Sequence, residues 1–328
     1  MTATYTFVSQ PAETQAQAGV EVGLGEALVR SWRAQGAFQI AADEVLAQSR
    51  RAFEASERFF ARPAAAKARC ISNLTYAGYA AAGEEADATE ADRSEAFTVC
   101  QDIALDDPRV REFWPCHGPV PWPDAQYRRA LLALAERLGE VADRVLRLVA
   151  LGLSADDPDV FARLTWGGWH SLRALHFEPE YSRPARSEPS AGAGTRVDDG
   201  LLVIVVRPNE AEPLTVFPGA LMQYMTCGLL PAAPRELWPQ AAERYAMVYF
   251  HAPNFQTCVR PLQEPSGNGF PRGVDFPRGD DFVHYGTHFT TTYLRRFPAR
   301  ATTLRILAED RLSVLTGLRR QAARASVG

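Results

Sequence analysis

Cysteine is scarce in this chain and shows no pairing pattern. Cys70, Cys100, Cys116, Cys227 and Cys258 are odd in number, scattered and without a CxxC, which argues against a disulfide framework or a structural zinc and leaves reduced thiols. Long apolar runs are missing as well. The longest β-rich stretch, Leu201 to Val206, is stopped by Arg207 and Pro208, far short of the ~18 to 20 residues that cross a bilayer, so no membrane protein is expected. Met1 to Gln10 carry neither a basic n-region nor an apolar h-region, and the cytoplasm is the expected location. Neither charge sign dominates: 35 Lys+Arg face 39 Asp+Glu, a net charge of -4, without the basic face that nucleic-acid binders present. There is no GxSxG, P-loop or GxGxxG after a strand, so elbow hydrolases, P-loop NTPases and Rossmann enzymes lack support. The histidines are His117, His170, His176, His251, His284 and His288. None forms an HxH or HExxH pattern, and the stretch between His284 and His288 holds Tyr285-Gly286, poor material for a helix-borne metal site.

What the chain does have is 46% apolar and 10% aromatic residues in a length of 328, enough for one large core or two modest ones. Ala41 to Arg62 spaces Val45, Leu46, Phe53, Phe59 and Phe60 among polar residues and meets Pro63, the pattern of an amphipathic helix ended by proline. After Pro121-Trp122-Pro123, Asp124 is placed to cap a helix whose stripe is Leu131, Leu134, Leu138, Val141, Val145 and Leu148. From Trp166 the texture changes to short apolar or alternating runs: Trp169–Phe177, Leu201–Val206, Leu214–Phe217, Leu221–Thr226 and Tyr245–Phe250. The expected fold class is α+β: a β-sandwich or jelly roll buttressed by N-terminal helices. The expected organisation is one structural unit, with a mainly helical region at 1–165, the β core at 166–300 and a C-terminal helix at 301–328, about Thr303 to Ala325. Tyr181–Gly194 and Glu264–Asp281 read as loops.

A set of local motifs carries a resemblance. It comprises Leu74-Thr75-Tyr76-Ala77-Gly78-Tyr79 with Gly83-Glu84-Glu85, Phe97-Thr98-Val99-Cys100, Cys116-His117-Gly118-Pro119-Val120-Pro121-Trp122-Pro123, Gly168-Trp169-His170 and Asp199-Gly200-Leu201-Leu202-Val203-Ile204. Phe217-Pro218-Gly219, Glu243-Arg244-Tyr245-Ala246, Tyr249-Phe250-His251, Pro253-Asn254-Phe255, His284-Tyr285-Gly286 and His288-Phe289-Thr290 continue it in order. Over roughly Thr6 to Leu318 the chain resembles the bacterial ethylene-forming enzymes, 2-oxoglutarate and iron(II) dependent oxygenases of the isopenicillin N synthase-like group. The resemblance implies a double-stranded β-helix (jelly roll) core. It is shortened by one hairpin here, because only Arg207 to Pro213 join two strands that a longer segment separates in the family; an opened barrel edge, open to a protein partner, is expected there.

The family holds iron with a His-x-Asp pair and a later histidine, leaving positions for 2-oxoglutarate and oxygen. The matched positions in this chain are Arg196, Asp198 and Arg235. Asp198 is the only surviving ligand, since a guanidinium stays protonated and has no lone pair to give. By the same resemblance Arg244 and Arg173 belong to the 2-oxoglutarate pocket, and Glu85, Asp199, Ser171 and Arg295 to the substrate pocket, with Asp199 and Ser171 departing from the family's tyrosine and histidine. Buried arginines need an anionic balance. Three outcomes stay open: a pseudoenzyme plugged by its own carboxylates, a metal-free binder or enzyme for a small carboxylate, and an active iron oxygenase for an amino-acid-like substrate such as arginine, rescued by other ligands, for instance His170 or His176. The expectation is that no metal or other cofactor is used, 2-oxoglutarate or a similar carboxylate being a ligand at most and Fe(II) entering only with the last outcome. The expected partner is a small carboxylate or amino-acid-like ligand, with no nucleic acid and no membrane.

Overall fold

Burial of the apolar stripes accounts for most of the helices. The computed structural model describes residues 2–5, 15–41, 43–86, 94–177, 199–208, 212–232, 245–262 and 282–325. The helices are α1 Gln15–Gln35, α2 Leu46–Phe60, α3 Ala64–Ala68, α4 Pro108–Arg111, α5 Ala125–Gly152, α6 Val160–Thr165, α7 Ala220–Met225, α8 Tyr285–Arg296, α9 Ala301–Ala308 and α10 Arg311–Ala325. The strands are β1 Thr4–Tyr5, β2 Phe38–Ile40, β3 Gly78–Ala80, β4 Ser94–Val99, β5 Ser171–Phe177, β6 Leu202–Val206, β7 Leu214–Pro218, β8 Tyr245–His251, β9 Cys258–Val259 and β10 Val283–His284. All six stripe residues of α5 are buried, and Asp124 caps it by accepting from Tyr127 N at 2.8 Å. Helices α1 and α2 pack on α5, which lies against β5, β6 and β8. The α1–α5 crossing needs glycine: a Cβ on Gly25 would sit 2.1 Å from Leu148 O.

Eight strands form the main sheet in the order β1-β2-β7-β6-β8-β5-β4-β3, and β9 pairs with β10. Every neighbour in the main sheet is antiparallel except β1 with β2. This is an α+β jelly-roll arrangement in which strands distant in sequence lie side by side, β8 between β6 and β5. Only residues 207–213 separate β6 from β7 in the sequence. Strand β7 is nevertheless no free edge of this sheet, because β2 pairs with it from Phe38↔Val216 to Ile40↔Leu214.

Several elements differ from the sequence reading. Four strands, β1 to β4, come from the part read as helical; at two to six residues each, they are too short to compete with the helical periodicity around them. Leu221–Thr226, read as a strand, falls on α7, every residue of which is buried, and a run of six residues is too short to show a period that separates helix from strand. Tyr285-Gly286 does open a helix, with His284 as its cap accepting from Thr287 N. The C-terminal helix is two helices, broken at Asp310 with φ 49°. The expected loops Tyr181–Gly194 and Glu264–Asp281 lie outside the described residues.

Candidate functional site

The centre of the sheet delivers a buried guanidinium. Arg173 stands on β5 between Thr98 of β4 and Val248 of β8, and its side chain is 9% exposed. Its Nη2 donates to Glu85 Oε1. Glu85 sits in the turn after β3, which is held from both sides: Glu84 Oε1 accepts from Arg300 Nη1 at 2.9 Å, and Ala86 N donates to Arg296 O at 2.9 Å. Arg300 is itself fixed by donating to the carbonyls of Ala77 and Tyr79.

A second charge group adjoins the first. Asp199, just before β6, accepts from His288 Nε2 at 3.1 Å and lies 3.8 Å from Arg296 Nη2. Tyr293 stands between the groups, with the Arg296 guanidinium 5.1 Å from its ring centre. Burial raises the Tyr293 phenol above its ordinary pKa; the cations Arg296 and Arg173 oppose this, while Asp199 and Glu85 add to it. Ser171 is two residues before Arg173 on the same face and is buried. With Tyr76, Thr98, Cys100, Cys116, Trp169, Phe289 and Tyr293 it lines a cavity of about 10 Å³, room for about one water.

Of the residues singled out from sequence, the structure therefore brings together Arg173, Glu85, Asp199 and Ser171. Arg295 does not join them: it is exposed on α8, whereas Arg296 is buried. The helical phase explains the difference, since Phe289, Tyr293 and Arg296 follow each other by four and three along one inward stripe. Arg296, His288 and Tyr293 are site residues that the sequence reading missed, and this phase was the available signal. Arg196, Asp198, Arg235 and Arg244 lie outside the described residues. His170 and His176 fall on the face opposite Arg173 and are engaged there. His170 Nδ1 accepts from Ala252 N and its ring stacks on His251 at 4.0 Å, with burial lowering its pKa to about 3. His176 Nδ1 lies 2.8 Å from Glu95 Oε1. Among the described residues no three His, Cys, Asp or Glu side chains converge as a metal-holding group.

The N-terminal part, residues 14–125, matches the family described as non-haem dioxygenase in morphine synthesis, N-terminal. Over 90% of its length the chain is 40% identical to a 2-oxoglutarate-dependent ethylene/succinate-forming enzyme of Ralstonia nicotianae, 93% of which is covered. The chain belongs to the 2-oxoglutarate-dependent oxygenases. The fold agrees with this family. A 2OG-Fe(II) oxygenase family protein from Caulobacter crescentus superposes with a TM-score of 0.67 at 18% identity, covering 90% of this chain and 98% of its own. A dioxygenase for auxin oxidation from Arabidopsis thaliana, solved as its 2-oxoglutarate binary complex, gives 0.58 at 17% identity, covering 83% of this chain and all of its own (100%).

These matches correct the expectation that no cofactor is used. The relative that spans nearly the whole chain is 2-oxoglutarate-dependent by name, and the oxygenases that share the fold are described with 2-oxoglutarate and Fe(II). No helix of the described residues is long and apolar enough to cross a membrane.

Proposed function

We propose that this oxygenase-family protein takes 2-oxoglutarate into the jelly roll beside β5 and acts on a small cationic amino-acid-like substrate such as arginine. The observation that carries the reading is the buried Arg173–Glu85 pair. It offers one guanidinium fork for a carboxylate and one carboxylate for a cation, at the two positions that the resemblance assigns to co-substrate and substrate. Arg244, outside the described residues, is the second guanidinium of the reading. Charge-assisted hydrogen bonds of this kind contribute ~1.5 to 3 kcal/mol each. Arg173 and Arg244 orient the dicarboxylate, Glu85 orients the substrate's positive end, and the aromatic wall of Tyr76, Trp169, Phe289 and Tyr293 excludes water.

Iron(II) accompanies 2-oxoglutarate in this family and supplies the oxygen chemistry there. Asp198 is a carboxylate donor for it, but Arg196 and Arg235 have no lone pair to give, so the matched positions by themselves do not fit the ion. That observation favours a second reading, in which the chain binds 2-oxoglutarate without turning it over. One experiment separates the two: 2-oxoglutarate binding by calorimetry in parallel with succinate release under Fe(II) and ascorbate, with and without L-arginine. Binding with succinate release supports the enzyme, binding without release supports the second reading, and no binding refutes both.

A further inference from the structure

A groove between α2 and the β6–β7 end of the sheet shares no residue with the group around Arg173. Its volume is about 160 Å³, close to the ~150 Å³ of an apolar cavity that takes up benzene. Helix α2 supplies one wall. Ser49, Phe53 and Glu57 follow one another by four residues and Leu46, Arg50 and Glu54 run beside them, so both rows lie on one helical face. The sheet side is largely apolar, and Val45, Phe53, Val206 and Leu214 are all buried where they line the groove. Its polar groups divide into engaged and idle ones. Arg207 lies 3.6 Å from Glu212, and Arg50 is engaged as well. Glu54 and Glu57, both exposed, have no ion-pair partner among the described residues. Ser49 is only 6% exposed, and although it lines the groove its hydroxyl makes no hydrogen bond among the described residues.

We propose that this groove is a second ligand site, for a small linear organic cation: an ammonium group at one end, an apolar chain of about six carbons, and a hydrogen-bonding group at the other end. The two idle carboxylates stand three residues apart on one face, where like charges repel, and an ammonium between them relieves both. A nearly buried hydroxyl without a partner is unfavourable, and the ligand's far end supplies the missing hydrogen bond. Spacing fixes the length, since Ser49 is five and eight residues from Glu54 and Glu57, roughly 8 to 12 Å along the helix at ~1.5 Å per residue. Phe53 lies between the two ends, beside Val206 and Leu214, and gives the chain its apolar contact. A metal ion does not suit the groove, because among the described residues no three His, Cys, Asp or Glu side chains converge. An anion meets the two free carboxylates, while the groove's arginines are already engaged.

Ligand-detected NMR titration of the full chain tests this with 6-amino-1-hexanol, 1-hexylamine and 1,6-hexanediol, which share the chain and differ at its ends. The amino alcohol should bind with a dissociation constant on the order of millimolar, as suits a ligand of this size. The uncharged diol should bind about fivefold more weakly, the span that two exposed ion pairs allow, and added salt should narrow the gap. Glu54→Gln with Glu57→Gln should reduce the amino alcohol to the level of the diol. Ser49→Ala should weaken the amino alcohol and leave hexylamine unchanged. Absence of saturable binding of the amino alcohol by wild type overturns the proposal, as does equal binding of amino alcohol and diol. Undiminished binding by the double glutamine variant also overturns it, because the cation then sits elsewhere, the Glu85 pocket included. None of these outcomes touches the function proposed above, since that reading is decided by 2-oxoglutarate binding, which the double variant should retain at the wild-type level. Should a variant not fold, by circular dichroism, the wild-type comparison of amino alcohol with diol still decides.

Discussion

Replacing Lys67 by methionine keeps the length of the side chain and removes its ammonium. Lys67 is the only lysine in the chain, and it is buried: its Nζ lies 2.5 Å from Glu95 Oε2 and donates to Phe60 O at 3.1 Å. Glu95, 6% exposed, also accepts from the Tyr79 hydroxyl at 2.7 Å and has His176 Nδ1 at 2.8 Å. Burial pushes this carboxyl up, but the hydrogen bonds from His176, Lys67 and Tyr79 outweigh it and hold the pKa below its ordinary value. Removing one partner of a buried pair costs ~3 to 5 kcal/mol, and the bonds that remain from Tyr79 and His176 place Lys67→Met at the lower end, about 3 kcal/mol. With an unfolding entropy of ~2.1 cal/mol/K per residue, a chain of this length loses about 4 °C of melting temperature. Urea and thermal unfolding measure both quantities. Adding Glu95→Gln to Lys67→Met should recover a large part of the loss, because no buried charge is then left without its partner. In native protein an amine-acylating reagent should leave Lys67 unmodified, its adduct appearing only after denaturation. A Lys67→Met variant within about 0.5 kcal/mol of wild type, the range of ordinary surface changes, would refute the reasoning.

Two further predictions follow from backbone and histidine burial. Gly78 has φ 86°, and a Cβ there would lie 2.1 Å from Cys70 O and 2.5 Å from Pro121 Cγ, so Gly78→Ala should destabilise by about 2 kcal/mol or more. Gly23→Ala in α1, with nothing within 4 Å, should instead stabilise by ~0.5 to 1 kcal/mol; denaturant midpoints that move the same way in both variants would contradict the argument. Burial lowers His117 to about 4 from 6.5, helped by Arg109 and opposed by the Pro115 carbonyl and Asp107. The unfolded chain therefore takes up the proton first as pH falls, so this histidine's contribution is complete above pH 6.5 and is lost toward pH 4. His170 and His284, also lowered by burial, act in the same direction. The slope should approach ~1.4 kcal/mol per pH unit for each such group, and a flat unfolding free energy between about pH 6.5 and 5 would exclude it.

The parts of this protein that were legible in its sequence are those written in local periodicity. The α5 stripe recurs at steps of three and four over many turns, and each of its six positions is buried; β5, β6, β7 and β8 were readable as alternating or continuous apolar runs to within a few residues. Elements too short to complete a period were not. Strands β1, β2 and β3 hold two or three residues each, and what makes them strands is pairing with partners outside their own local run, as Gly78 with Thr98 and Phe38 with Val216. The site divides along the same line. Glu85, Arg173 and Asp199 came from motif matches, which name positions but say nothing about what those positions do to one another. That Glu85 closes on Arg173 depends on Arg300 reaching back to Glu84, and on Arg296 accepting from Ala86 through its backbone carbonyl. Neither contact leaves a trace in local sequence, since each joins the β3 turn to helices that form only at the far end of the chain. Motif matching thus names charges that bind ligands in relatives; whether they are available here is decided by the long-range contacts that aim them at each other.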